Sequence, residues 1–473
     1  MDTDPKILPG GRKRVFSKRS KTGCRTCRTR RIKCDETPGV CRNCSSTGRK
    51  CDGYDAQRLP RTRLPTVSRS HVAAVVLSSN ITTGFQWKMT SDERRCYSFF
   101  QHRTVPAIIG FFDSVLWEKF VLQLSQSEKA VYHAVVAFSA IHADYEALGT
   151  TLANEDLDNS WHRFAIDQCG RSFACLSARS ASQDPNLQRV ILVCCILFVL
   201  SELMRGQYNL AFTHLKNGLR ILKDGNHSSD QSRSRGPAIE QCLVEVFAHL
   251  NAQSAYFGVE GLPILFDSGL PSPKTDKSEP VFQTLTEAQE AFNPLLSSMS
   301  QAYSKITACS PPGIRGDLAP WHFDVTLKLK RFARCFKPFY ENPIHQRSIK
   351  EQRGADIIYM QQLTLSVTLG SLLNPDGEPL DHDIIIFREL VSLGEAVTSS
   401  FTDRPSILLG MGIIAPLFFV STKCRQPDIR WRAVRALQSW PHREGPWDSH
   451  LLARIAMETI RAEESAFTNE PEW

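Results

Sequence analysis

The sequence predicts a small cysteine-organised module near the N-terminus, a flexible linker, and a large all-α body. Three observations lead there. Six of the 15 cysteines fall between positions 24 and 51, in two similar halves, CRTCRTRRIKC and CRNCSSTGRKC. Beyond about residue 91, apolar residues recur at helical spacing, and no strand alternation of useful length occurs. Between them, QRLPRTRLPTVSRS and the residues up to 90 carry Pro, Ser and Arg with no helical period. With 473 residues, 42% hydrophobic and 22% charged, two or three ordinary globular domains are expected.

From Cys24 the pattern is C-x2-C-x6-C-x6-C-x2-C-x6-C. The polar start, Met1-Asp-Thr-Asp-Pro-Lys, predicts no secretory signal and hence an intracellular protein whose thiols stay reduced. That argues against a disulfide knot. An iron–sulfur site normally uses four cysteines at other spacings. Zinc remains, since it takes four soft ligands in a tetrahedron and a C-x2-C pair turns two thiolates to one side. Six thiolates fill eight positions around two zinc ions only if two of them bridge. The symmetry of the halves assigns the bridges to their first cysteines, Cys24 and Cys41. Cys27 and Cys34 then complete one zinc, and Cys44 and Cys51 the other. Between the end cysteines the only other large apolar residues are Ile32 and Val40, so metal must supply the folding free energy.

The charge is as uneven as the cysteines. Residues 1–63 hold 18 Lys plus Arg against 6 Asp plus Glu, whereas the remainder holds 39 against 43. The whole basic excess therefore sits on the module, as expected for a polyanion binder on a near-neutral body. Arg25, Arg28, Arg30, Arg31, Lys33, Arg42, Arg49 and Lys50 more than offset the −2 of six thiolates around two dications. Upstream, Arg12-Lys-Arg and Lys18-Arg-Ser-Lys form a split basic cluster suited to nuclear import or to trailing along phosphates.

The stretch GCRTCRTRRIKCDETPGVCRNCSSTGRKCDGY, Gly23 to Tyr54, resembles the fungal Zn2Cys6 binuclear-cluster transcription factors. That resemblance implies two short helices joined by a turn at Pro38, a nuclear location, and zinc-dependent regulation of genes transcribed by RNA polymerase II. It also implies double-stranded DNA as partner, with the first helix meeting a CGG-type triplet in the major groove. Carried over by position, Arg30 and Arg31 are the candidates for base edges, and an arginine fork suits guanine O6 and N7. Arg28, Lys33 and Arg42 are the candidates for phosphates. The downstream stretches 111–146, 194–222 and 412–449, with a weaker one at 282–292, resemble the helical regulatory region of the same regulators, which implies co-regulators or transcription machinery as further partners. The expected organisation is a basic arm (1–20), the DNA-binding cluster (21–54), a linker (55–90) and the regulatory body (91–473).

Within the body, Ser127 is expected to cap a helix whose stripe is Val131, Ala134, Val135 and Phe138. Ala211, Leu215, Leu219 and Leu222 form another stripe, and Ile239, Cys242, Leu243, Val246, Phe247 and Leu250 a third. Residues 224–236 and 270–280 read as polar loops. The longest apolar run, Val190 to Leu200, is shorter than a membrane span, so no membrane is expected. His133, His142 and His249 are read as lacking a ligand partner four residues on. Cys194 and Cys195 read as packing thiols, and no phosphate-cradling glycine loop occurs, so the chain is not read as an enzyme. The alternative, a zinc-finger scaffold without sequence-specific readout, is disfavoured for RNA by the absence of aromatics from 23–52. Prolines at 60 and 65 break any coiled coil after the cluster, which points to a homodimer formed through the helical body. The C-terminal EESAFTNEPEW mixes acids with aromatics as short activation segments do, but reads as a frayed end.

Overall fold

The computed structural model describes residues 23–37, 40–54, 59, 87–148, 159–182, 184, 186–227, 238–257, 281–308, 319–342, 347–372 and 379–468. The basic arm, Pro38, most of the linker, the loop at 270–280 and residues 469–473 lie outside that set. The chain forms two compact units. The first holds the cysteine cluster together with residues 87–95, and the second holds the body from Cys96 onward.

The first unit contains two short helices, α1 (Arg25–Thr29) and α2 (Arg42–Ser45), and the start of α3 (Ser91–Phe99). The residues obey a 17-residue repeat. Cys24 and Cys41 occupy the N-cap positions of α1 and α2. After each helix the chain turns through a left-handed residue, Arg31 (φ 57°) in the first half and Gly48 (φ 62°) in the second. The following amides close equivalent bonds, Ile32 N–H to Cys27 O at 3.1 Å and Arg49 N–H to Cys44 O at 2.9 Å. A second left-handed pair follows at Glu36 (φ 58°) and Gly53 (φ 71°). Asp35 then accepts from the first amides of α2, Arg42 N–H at 3.0 Å and Asn43 N–H at 3.2 Å. Its counterpart Asp52 accepts from the first amide of α3, Ser91 N–H, at 3.0 Å. Each half thus caps the helix that follows it.

The second unit is helical as expected. Its helices are α4 (Val105–Ile108), α5 (Val121–Ser127), α6 (Lys129–Leu148), α7 (Ser160–Ser177), α8 (Leu187–Met204), α9 (Tyr208–His227), α10 (Ala238–Ser254), α11 (Leu285–Ala308), α12 (Ala319–Glu341), α13 (Ile349–Leu372), α14 (Ile384–Ser399), α15 (Ile414–Lys423), α16 (Pro427–Ser439) and α17 (Ser449–Thr468). Helix α6 packs on α7 and α8, and α8 on α9. The stripes on α6 and α9 are buried throughout. On α10 the buried members are Leu243, Phe247 and Leu250. A Cβ on Gly218 of α9 would lie 2.2 Å from the Phe247 ring, so glycine there lets α9 and α10 close together. A second core joins α13–α17, and an aromatic one joins α11 to α12 through Phe292, Phe332 and Phe336.

Several expectations are corrected. Ser127 does not start α6. It ends α5, and its hydroxyl donates back to Leu124 O at 3.4 Å. Helix α9 runs on to His227, so 224–227 are helical rather than the expected loop, whose remaining residues, 228–236, lie outside the described set. The apolar run at 190–200 belongs to α8, whose 18 residues are long and apolar enough to cross a membrane by length and composition. Yet 78% of that span is buried inside the protein, as a central core helix must be when apolar on every side. His142 does have a partner four residues on. Glu146 Oε1 lies 3.5 Å from its Nε2, while Thr104 and Ser406 hydroxyls sit 2.8 Å from its two nitrogens. Burial pushes that imidazole down to about 4, so it is a neutral core group. His133 bonds Gln168, and His249 accepts from Met411 N–H. Cys194 and Cys195 are buried in α8, where burial raises both thiols.

A small sheet also goes beyond the all-α expectation. It comprises β1 (Ile407–Leu408), β2 (Arg443–Glu444) and β3 (Trp447–Asp448), with β1 parallel to β2 and β2 antiparallel to β3. Two-residue strands are too short to register as an alternation. Fully buried Glu444 accepts amides of Gly412, Ile413 and Ile414 at 2.9–3.0 Å, which anchors the N-terminus of α15.

Candidate metal centre and nucleic-acid interface

The repeat places six sulfurs together. Cys24, Cys27, Cys34 and Cys41 form one quartet, and Cys24, Cys41, Cys44 and Cys51 another, with all ligand atoms in each within 4.8 Å of one another. The quartets share Cys24 and Cys41, whose sulfurs are 3.5 Å apart. Further separations are 3.8 Å for Cys24–Cys44 and 3.6 Å for Cys27–Cys41. A tetrahedron with Zn–S bonds of about 2.3 Å has edges of about 3.8 Å, so these spacings suit zinc. Cys24, Cys27, Cys41 and Cys44 are wholly inaccessible, whereas Ile32 and Val40 are 40% and 55% exposed. The unit's centre is therefore sulfur rather than hydrocarbon.

The surroundings favour thiolates unevenly. Burial pushes the thiols of Cys24 and Cys41 well up, so holding them as thiolates requires a cation. Burial opposes ionisation of Cys34 too, but amides of Cys24 and Glu36 outweigh it and bring that thiol to about 7. Asp35, beside it, is held far below the usual carboxyl range by the Thr37 hydroxyl and the α2 amides.

The basic residues divide. Arg28, Arg31, Lys33 and Arg42 are exposed. Arg31 projects from the left-handed turn after α1. Arg30 is half-buried and braces the second half, with Nη1 3.4 Å from Asn43 O and 3.2 Å from Thr47 Oγ1. Lys50 and Arg25, by contrast, meet acids of residues 87–95. Lys50 Nζ lies 3.3 Å from Glu93 Oε2, and Arg25 Nη1 3.9 Å from Asp92 Oδ1. No sequence pattern signals these pairs, because nothing periodic links positions 43 and 67 residues apart.

A six-sulfur cage with five of its cysteines buried, under an arginine-rich surface, defines a zinc-cluster nucleic-acid binder. Residues 22–61 match the family described as the fungal Zn(2)-Cys(6) binuclear cluster domain, and residues 95–311 the fungal specific transcription factor domain. The chain belongs to the fungal Zn(2)-Cys(6) transcription regulators: it is a DNA-binding regulator of transcription whose cluster domain binds two zinc ions. It is similar to an aspercryptin biosynthesis cluster-specific transcription regulator of Emericella nidulans, at 24% identity over 95% of this chain and 88% of that one. A transcription regulator of Purpureocillium lilacinum is 23% identical over 47% of this chain and 55% of its own. The transcriptional regulatory protein moc3 of Schizosaccharomyces pombe is 65% identical over 8% of this chain and 7% of its own. No solved structure matches.

Proposed function

We propose that the cluster reads a CGG-type triplet in the major groove and so directs the protein to genes transcribed by RNA polymerase II in the nucleus. Cys24 and Cys41 bridge the two zinc ions, Cys27 and Cys34 complete the first, and Cys44 and Cys51 complete the second. The shared pair in the two sulfur quartets is the observation that supports this division. Arg31 and Arg30 are assigned to base edges. Arg31 is the better presented, since Arg30 must first release Asn43 and Thr47. Arg28, Lys33 and Arg42 are assigned to phosphates, which set register without reading sequence. The domain division assigned is a basic arm at 1–20, the cluster at 21–54, a linker at 55–90 and a regulatory body at 91–473, although the first residues of α3 group with the cluster unit.

One small finger makes few phosphate contacts, so the body is assigned the role of joining two chains and raising effective concentration on paired triplets. Co-regulators are assigned to the same body. Binding-site selection from random duplex DNA with the full chain tests the reading. A GC-rich triplet should be enriched, and the enrichment should vanish with a zinc chelator. Recovery of random sequence, or enrichment indifferent to chelation, would overturn it in favour of a scaffold without sequence readout.

A further inference from the structure

The 17-residue repeat relates Lys33 to Lys50, and Arg25 to Arg42. Lys33 of the first half and Arg42 of the second are exposed, and their side chains have no carboxylate partner among the described residues. Their counterparts are occupied. Lys50 faces Glu93 and Arg25 faces Asp92, and both acids are nearly buried, at 1% and 6% exposure. Lys50 Nζ also donates to Lys88 O at 3.1 Å, and Lys88 Nζ donates to the carbonyl of Gly48, the counterpart of Arg31. Residues 88–93 therefore cover Arg25 and Lys50, one base from each half, where their counterparts Arg42 and Lys33 are open.

Helix capping explains part of this arrangement. Thr90 N–H donates to Glu93 Oε2 at 2.8 Å, and Glu93 N–H to Thr90 Oγ1 at 3.2 Å, a reciprocal capping box. A box needs only an acceptor oxygen at that place, and glutamine supplies one. Asp92 also pairs with Arg95 at 3.6 Å, but neither contact accounts for two successive acids set against the two bases that the repeat relates to the open Arg42 and Lys33.

We propose that Arg25 and Lys50 form a second phosphate-binding face, and that the carboxylates of Asp92 and Glu93 occupy it in place of backbone phosphate. Carboxylate and phosphate oxygens satisfy the same cationic donors. With that face filled from within, the finger offers DNA a single basic side and docks in one orientation. The inference rests on the DNA-binding reading above.

The test is the salt dependence of full-chain binding to a random-sequence duplex, with two zinc ions per chain verified for every variant. Asp92→Asn with Glu93→Gln, which preserves the capping oxygen, should tighten binding several-fold and steepen the log K against log salt slope by about two. Asp92→Asn alone touches no capping oxygen and should steepen it by about one. Lys50→Gln should leave the parent slope unchanged but remove about one from the slope of the double variant. An unchanged slope in Asp92→Asn, or a parent Lys50→Gln loss equal to that of Lys33→Gln, would overturn the inference. If Lys33→Gln itself leaves the slope unchanged, the failure belongs to the DNA-binding reading instead.

Discussion

The two halves of the zinc cluster share one backbone plan but differ in what it carries. At both left-handed positions the second half has glycine, Gly48 and Gly53, where the first half has Arg31 and Glu36. A side chain in that conformation costs about 1 kcal/mol relative to glycine. The second half thus relaxes its turns, while the first accepts strain and gains an exposed arginine beside α1. The basic residues that the repeat relates differ as well, since Lys33 and Arg42 are open whereas their counterparts Lys50 and Arg25 are paired with acids. Duplication built the cage, and asymmetric decoration gave it a reading face.

The largest expected effect tests how far the halves are separable. Cys24→Ala should lower zinc in both sites and unfold the cluster, whereas Cys51→Ala should chiefly loosen one ion, as elemental analysis and chelator titration will show. Equal loss from the two variants would remove the distinction between bridging and terminal cysteines. Next comes the cap between the halves. Asp35→Ala frees the first amides of α2 and should destabilise the finger by about 1 kcal/mol in competition with a zinc chelator. The turns give smaller effects of opposite sign. Gly48→Ala meets nothing closer than the Lys88 ammonium at 3.8 Å, so its loss of roughly 0.5–1 kcal/mol should come from φ alone. Glu36→Gly should raise stability by about 0.5 kcal/mol, partly offset by a freer unfolded chain. If both glycine exchanges shift stability the same way, strain is not what separates the halves.

Much of this was legible in the residues. Cysteine spacing located the cage, because tetrahedral ligation restricts which positions can converge, and apolar periodicity located α6, α9 and α10. Aligning the halves also places Arg31 opposite Gly48, from which the left-handed turn could have been read. Other features depend on distant partners. Arg30 turns inward because the second half offers Asn43 O and Thr47, and Glu93 meets Lys50 across 43 positions. Ser127 misled because a serine before a helix is equally able to end the preceding one. Glu146 stands four residues after His142 in the sequence, but only the fold shows Thr104 and Ser406 satisfying that ring. The full length of α8 was hidden by Arg189 and Glu202, which sit near its ends.

The asymmetry of the halves is tested most directly by Arg31→Ala, with affinity measured on the selected triplet and on a random duplex at one salt concentration. The account predicts about 1–3 kcal/mol lost on the selected site, little change on the random duplex, and preference relaxed at one base position. Equal losses on both duplexes, with two zinc ions still bound, would show that Arg31 meets phosphate and that the first half does not read the base.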